Sequence, residues 1–310
     1  MKPSPIQPGD TIAVIAPASV PRDMAKFRAG IARLESLGYN VELGRPEYKK
    51  RGYLAGTDRE RVDEINAFLR RSDVKMLIAA RGGYGVLRIL DDVDYEAARA
   101  HPKLIVGYSD ITALHFAMYV RTGLPALSGP MVAVEWHDPD PSSDRLFWDL
   151  VSGATPDPLV GPSGEMLKPL ASGSAEGVLL GGNLAMVVRL IGTPYLPDLE
   201  GAILFLEDVG EEPYRVDAML AQLRLSGILE RLGGIVIGGF TEWEPEEDTP
   251  TLTMDQVFED YLAHLDLPVA RGLVYGHFPV KNTIPFGVRA RLEVTSSSAR
   301  LGILEPVVAV

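Results

Sequence analysis

Short runs of consecutive apolar residues alternate along the chain with longer stretches in which apolar positions recur every three or four residues. The first run, Thr11–Ala16, stops at Pro17 and reads as a strand buried on both faces. Over Arg22–Leu37 the pattern turns amphipathic and closes at Gly38, which predicts a helix with a glycine after its last turn. Val41–Leu43 is a short second strand. Thr57 and Glu60 stand at capping-box spacing and predict a helix from there to about Arg71. Lys75–Ala80 and Leu104–Gly107 are further strands. The first of these leads into a tight turn, Arg81-Gly82-Gly83-Tyr84-Gly85, and the second into a helix over Ile111–Arg121. Strand–helix alternation of this kind implies a parallel sheet with right-handed crossovers.

After about residue 135 the pattern changes. Glu135–Asp144 is rich in Pro and Asp, and Gly153–Gly164 in Gly, Pro and Ser, both of which are loop signals. A chain of 310 residues is long enough for two domains, and the boundary is expected here, giving 1–160 and 161–310. The second part mixes types. Gly177–Leu180, Ala202–Leu206, Gly234–Phe240, Arg289–Thr295 and Arg300–Leu304 read as strands. Leu184–Ile191, Pro213–Leu225 and Met254–Leu265 read as helices, the second with Pro in its first turn.

Composition narrows the function class. The net charge of −12 argues against a nucleic-acid partner, because neutralising phosphates needs clustered Lys and Arg. With no cysteine, disulfides, thiolate zinc sites and cysteine nucleophiles drop out. No apolar h-region precedes the first strand, and no run reaches the roughly 18 apolar residues of a membrane span, so a cytoplasmic protein is expected.

In parallel α/β sheets the chemistry gathers at the carboxyl ends of strands. Ser109 follows a buried strand and precedes a helix, a position that lifts a hydroxyl above the sheet edge and aims helix N–H groups at it. The local sequence, Gly107-Tyr108-Ser109-Asp110, is not G-x-S-x-G, and a serine here can equally serve as a helix N-cap. A serine nucleophile needs a base. Among five histidines, His101 sits at a helix end, His115 inside a helix, His137 in the acidic loop and His264 near the end of a surface helix. His277 alone follows a strand and a glycine, in Tyr275-Gly276-His277-Phe278-Pro279. Glu207 and Asp208 both end the run Ala202–Leu206 and can supply the carboxylate that orients an imidazole. Side chains alternate along a strand, so the two face different ways, and spacing does not choose between them. The Gly82-Gly83 turn can offer an N–H to an oxyanion. It matches neither G-x-x-x-x-G-K-[ST] nor G-x-G-x-x-G, and there is no H-E-x-x-H, so neither a nucleotide cofactor nor a metal is expected.

Taken in order and spacing, Ala80-Arg81-Gly82-Gly83-Tyr84-Gly85, Gly107-Tyr108-Ser109-Asp110, Gly181-Gly182-Asn183, Leu206-Glu207-Asp208-Val209-Gly210-Glu211 and Gly276-His277-Phe278-Pro279 resemble the L,D-carboxypeptidase family, which also includes microcin-immunity hydrolases. The resemblance covers nearly the whole chain. It implies an α/β fold: an N-terminal flavodoxin-like parallel-sheet domain carrying the serine and a C-terminal mixed α/β domain carrying Glu and His, with the active site between them. It implies Ser109 as nucleophile, Glu207 as the acid of the triad, His277 as base, and the backbone N–H groups of Gly83 and Asp110 as oxyanion donors. It also implies a cofactor-free homodimer. Its substrate would be a muropeptide, a murein tetrapeptide that loses its terminal D-alanine during peptidoglycan recycling. Arg81 is placed to meet the substrate carboxylate, or else to pair with an acid of the chain. Two other readings stand beside this one. A microcin-immunity-like hydrolase of peptidyl- or aminoacyl-nucleotides needs an aromatic ring to stack on a base, for which Trp136 is the candidate. A module that binds a small ligand without catalysis needs neither.

Overall fold

The structure, a computed structural model, describes residues 2–45, 49–244 and 250–310. They form two compact units. The first comprises Met1–Ala154 together with Thr283–Gly287 and Pro306–Val310; the second comprises Thr155–Asn282 and Val288–Glu305. A single cut at residue 160 therefore misses two returns of the chain to the first unit.

In the first unit the chain runs β1 (Thr11–Ile15), α1 (Met24–Ser36), β2 (Asn40–Leu43), α2 (Asp58–Leu69), β3 (Val74–Ala79), α3 (Tyr95–Ala100), β4 (Leu104–Gly107), α4 (Thr112–Thr122), β5 (Ala126–Ser128) and α5 (Pro141–Val151). The strands pair in parallel in the order β2-β1-β3-β4-β5, the flavodoxin-like arrangement. Beyond β5 the sheet gains an antiparallel edge strand, Ile284–Phe286, with Ile284 opposite Ser128. All five residues of β1 and all four of β4 are buried, as unbroken apolar runs demand when helices cover both faces.

Helix α2 does more than cover the sheet. Its predicted capping box is formed, with Glu60 N–H donating to the Thr57 hydroxyl and Thr57 N–H donating to the Glu60 carboxylate. Its inner face carries two buried charges. Arg61 donates to the carbonyls of Pro17 and Gly85 and to Asp58. Glu64 accepts from Ala16 N–H at 3.0 Å and from Arg45 at 3.1 Å. One helix thus fastens the loops that leave β1 and β3, and each buried charge is offset by the partners it binds.

The sequence pattern marks Glu135–Asp144 as loop, yet α5 begins inside it. Pro141 occupies the first turn, where its missing N–H costs nothing, and the Asp140 carboxylate accepts from Ser142 and Ser143 N–H.

The second unit contains β6 (Lys168–Ala171), β7 (Gly173–Asn183), α6 (Leu184–Leu190), β8 (Ile203–Val209), α7 (Pro213–Leu225), β9 (Gly234–Thr241), α8 (Met254–Leu262) and β10 (Val269–Arg271). With Ile284–Phe286 as β11, it closes with β12 (Val288–Val294) and β13 (Ala299–Ile303). Its sheet is mixed. Strands β7, β8, β9 and β10 run parallel, β6 pairs antiparallel with β10, and the hairpin β12–β13 pairs antiparallel with β7. A bridge between Leu167, just before β6, and Ala299 in β13 joins the two ends of the strand order and curls the sheet. Among the described residues no helix is long and apolar enough to cross a membrane.

Candidate active site

Ser109 lies at the carboxyl end of β4, in a single 3-10 turn that runs directly into α4. Its φ is 65°, in the left-handed region that residues with a Cβ rarely occupy. Strand, strained residue and helix in immediate succession can present a hydroxyl as a nucleophile, here with Gly107 in the first glycine position of G-x-S-x-G and Ile111 in the second. The neighbouring turn follows β3. Gly82 packs so closely against the serine that a Cβ on it would stand 3.0 Å from Ser109 Cβ and 3.2 Å from Oγ. Only glycine leaves the hydroxyl its space.

The residues around Ser109 hold this arrangement. The Asp110 carboxylate is 3% exposed and accepts from Val86 N–H at 2.9 Å, tying the start of the helix to the glycine turn. Its main-chain N–H lies in the first turn, where N–H groups lack intrahelical acceptors and the helix dipole favours negative charge. Tyr108 donates its hydroxyl to Glu135 at 2.8 Å, and the second oxygen of that carboxylate accepts from Met131 N–H. Gly83 follows Gly82 in the same turn, and Ser19 N–H donates to the Gly82 carbonyl. Arg81 begins the turn and donates to the carbonyl of Val20 at 3.3 Å; among the described residues it pairs with no carboxylate. Ser109, Asp110, Gly83 and Arg81 thus share one end of the first unit's sheet.

Trp136 does not have the role that a nucleotide substrate would ask of it. The ring is 1% exposed, edge-on to Phe147 at 5.1 Å and to Trp148 at 5.5 Å, and donates from Nε1 to the Pro130 carbonyl. Phe147 and Trp148 lie on α5, whose start had looked like loop. A ring packed on this scale is a local anchor and has no open face for a base.

His115, one turn into α4, is fully buried, 5.6 Å from the ring of Phe286, and burial pushes its pKa down to about 3. This imidazole is part of the core. The unfolded chain takes up its proton near pH 6.5 and the folded chain only near 3, so stability falls as pH drops through that window, by about 1.4 kcal/mol per pH unit. His115→Leu is expected to remove that slope. In urea unfolding at pH 7 and pH 5 the wild type should lose roughly 2 kcal/mol more than the variant; parallel losses would mean that the buried ring is charged.

In the second unit Glu207 sits near the end of β8, register-paired with Asn183 of β7. It is fully buried, and its Oε2 lies 2.7 Å from Nδ1 of His277, whose side chain keeps 17% exposure. His277 is not at a strand end as the pattern suggested. Strand β10 stops at Arg271, and the histidine is carried by the loop beyond it. That loop reaches the carboxylate because β9 bulges opposite Glu207, where Gly238 and Gly239 fall between the pairs Leu206–Ile237 and Asp208–Phe240. Gly239 N–H donates to the Tyr275 carbonyl at 2.8 Å, and a Cβ on either glycine would collide with the loop, at the Tyr275 carbonyl or the Phe278 ring.

Spacing left Glu207 and Asp208 open; the two divide the work. Asp208 is 3% exposed and accepts from the N–H groups of Val209 and Ala185 at 2.9 Å, so it serves the first turn of α6 and not α7. Burial pushes its pKa up to about 6, against the pull of those donors. Asn183 Nδ2 donates to both carboxylates, at 3.3 Å to Glu207 and 2.8 Å to Asp208. This bridging amide was visible in the sequence only as part of Gly181-Gly182-Asn183. Among the described residues no group of three or more His, Asp or Glu side chains is placed to hold a metal ion.

The model of the LD-carboxypeptidase N-terminal domain matches residues 12–129, and that of the LD-carboxypeptidase C-terminal domain matches residues 176–292. The chain belongs to the LD-carboxypeptidase family. Within this family it is 38% identical to a probable murein peptide carboxypeptidase of Bacillus subtilis, over 96% of this chain and 93% of that protein. The crystal structure of muramoyltetrapeptide carboxypeptidase from Oxalobacter formigenes superposes with a TM-score of 0.83 at 33% identity, covering 94% of this chain and 98% of that one. The microcin C7 self-immunity protein MccF of Escherichia coli is more distant, at 27% identity over 94% of this chain and 92% of that protein. The activity class is that of a carboxypeptidase.

Proposed function

We propose that the protein is a serine-type L,D-carboxypeptidase that removes the C-terminal D-alanine from murein tetrapeptides, with Ser109, His277 and Glu207 as its catalytic triad. The observation that carries the reading is the fully buried Glu207 carboxylate on Nδ1 of His277 at 2.7 Å. A carboxylate so placed holds the imidazole in the tautomer with its proton on Nδ1, which leaves Nε2 unprotonated, the form a base requires. The names of the relatives, a murein peptide carboxypeptidase and a muramoyltetrapeptide carboxypeptidase, support the substrate class.

In this mechanism Ser109 Oγ attacks the carbonyl before the terminal residue while His277 Nε2 takes the hydroxyl proton. The tetrahedral oxyanion rests on the backbone N–H groups of Gly83 and Asp110, each worth about 3–4 kcal/mol. His277 then passes its proton to the departing amine of D-alanine. Water, activated by the same imidazole, cleaves the acyl-enzyme and restores the serine. Glu207 keeps its charge throughout and stabilises the imidazolium. The reading includes a cytoplasmic, homodimeric enzyme that needs no cofactor and recycles cell-wall peptides. No observation favours the nucleotide substrate, whose stacking ring is buried.

Incubation with a murein tetrapeptide, followed by mass spectrometry, is expected to yield the tripeptide and free D-alanine, and no product with Ser109→Ala. An intact tetrapeptide after exhaustive incubation with the wild type would refute the substrate assignment.

A further inference from the structure

Among the described residues, Arg81 in the glycine turn and its neighbour Arg22 on the loop after β1 pair with no acid. Arg81 is the residue before Gly82, the glycine in contact with Ser109. Its hydrogen bond to the Val20 carbonyl brings the guanidinium to the loop after β1, two residues from Arg22. Among the described residues Arg22 makes no hydrogen bond or ion pair, and Arg81 none beyond Val20. The chain has 42 acidic residues against 30 Lys and Arg, and its other arginines readily find carboxylates: Arg33, Arg71 and Arg231 each pair with one at 2.8 Å or less. Arg81 is half-buried, and burial and then the repulsion of Arg22 both hold its pKa below the ordinary value. An arriving anion offsets both costs.

A carboxypeptidase substrate differs from an internal peptide bond by one group, the carboxylate of the residue that leaves. We propose that Arg81, with Arg22 as a second cation, receives this terminal carboxylate and thereby restricts the enzyme to chain ends. The inference rests on the reading of Ser109 as nucleophile. The guanidinium is a planar fork of five N–H donors, and with one spent on Val20 the remainder can grip a carboxylate through two parallel bonds, which a lysine cannot do.

The test compares the tetrapeptide with the same peptide ending in a carboxamide. The wild type is expected to cleave the acid at roughly 100-fold higher kcat/KM than the amide. In Arg81→Ala the acid-to-amide ratio collapses towards one, mainly through KM for the acid. Arg81→Lys keeps about 10-fold, and Arg22→Ala loses about 10-fold, with an effect that shrinks at high salt. A merely structural arginine would slow both substrates alike and leave the ratio standing; an unchanged ratio in Arg22→Ala and Arg81→Ala overturns the proposal while the triad survives. If the wild type cleaves neither peptide, the functional reading has failed separately. Calorimetry with N-acetyl-D-alanine and its amide then decides the cation pair alone: acid-selective binding lost in both variants upholds it, and binding that is absent or indifferent to the variants overturns it.

Discussion

Ser109→Gly is expected to abolish turnover and to make the protein more stable. A residue with a Cβ at φ 65° bears a cost of about 1–2 kcal/mol that glycine does not. Part of the gain is returned as extra freedom of the unfolded chain, so the net rise is roughly 1 kcal/mol in urea unfolding. Loss of the only attacking oxygen lowers D-alanine release by roughly 10⁴-fold or more. The two readouts separate two claims. An active glycine variant removes Ser109 from the mechanism; an inactive variant that is also less stable removes strain from it. Opposite signs for stability and activity are what a site built on a strained residue should give.

Glu207→Gln should cost nearly as much activity with little change in the fold. Asn183 points an N–H at one oxygen of this side chain, so the glutamine carbonyl turns towards Asn183 and its amide nitrogen towards His277. That nitrogen donates to Nδ1 and drives the imidazole proton onto Nε2, where it blocks uptake of the serine proton. The wrong tautomer in a comparable triad costs about 10⁴-fold in kcat, and a similar fall is expected here, read as kcat for D-alanine release. Preparing the double variant with Asn183→Asp, whose carboxylate can accept from the glutamine amide, is expected to recover part of it. A loss of less than tenfold in Glu207→Gln would show that the carboxylate does not control the tautomer.

The buried strands and the helix starts were legible in the chain because each depends on neighbours in sequence. Thr57 and Glu60 cap α2 as their spacing requires, and Pro213 opens α7 as read. What escaped depends on distant partners. Ile284–Phe286 is a strand only because β5 offers an open edge. The cluster of Pro and Asp at 138–141 looks like loop until Asp140 and Pro141 are seen in their roles as cap and first turn, and with α5 unrecognised the burial of Trp136 by Phe147 and Trp148 was out of reach. At the site, the order of motifs identified Ser109, Glu207 and His277 as candidates. The left-handed backbone of Ser109, the glycine bulge that admits the histidine loop, and the Asn183 amide shared by two carboxylates are tertiary facts that no local pattern encodes.

The return of Ile284–Phe286 to the first sheet also sets a clock on synthesis. On the ribosome β5 emerges with one edge paired to β4 and the other bare, and all of Thr155–Asn282 is made before its partner appears. At translation rates of about 5–20 residues per second the bare edge waits on the order of ten seconds. For that interval the nascent chain presents unpaired N–H and C=O groups to any passing strand. The step most exposed to misassembly is therefore the completion of the serine-bearing sheet.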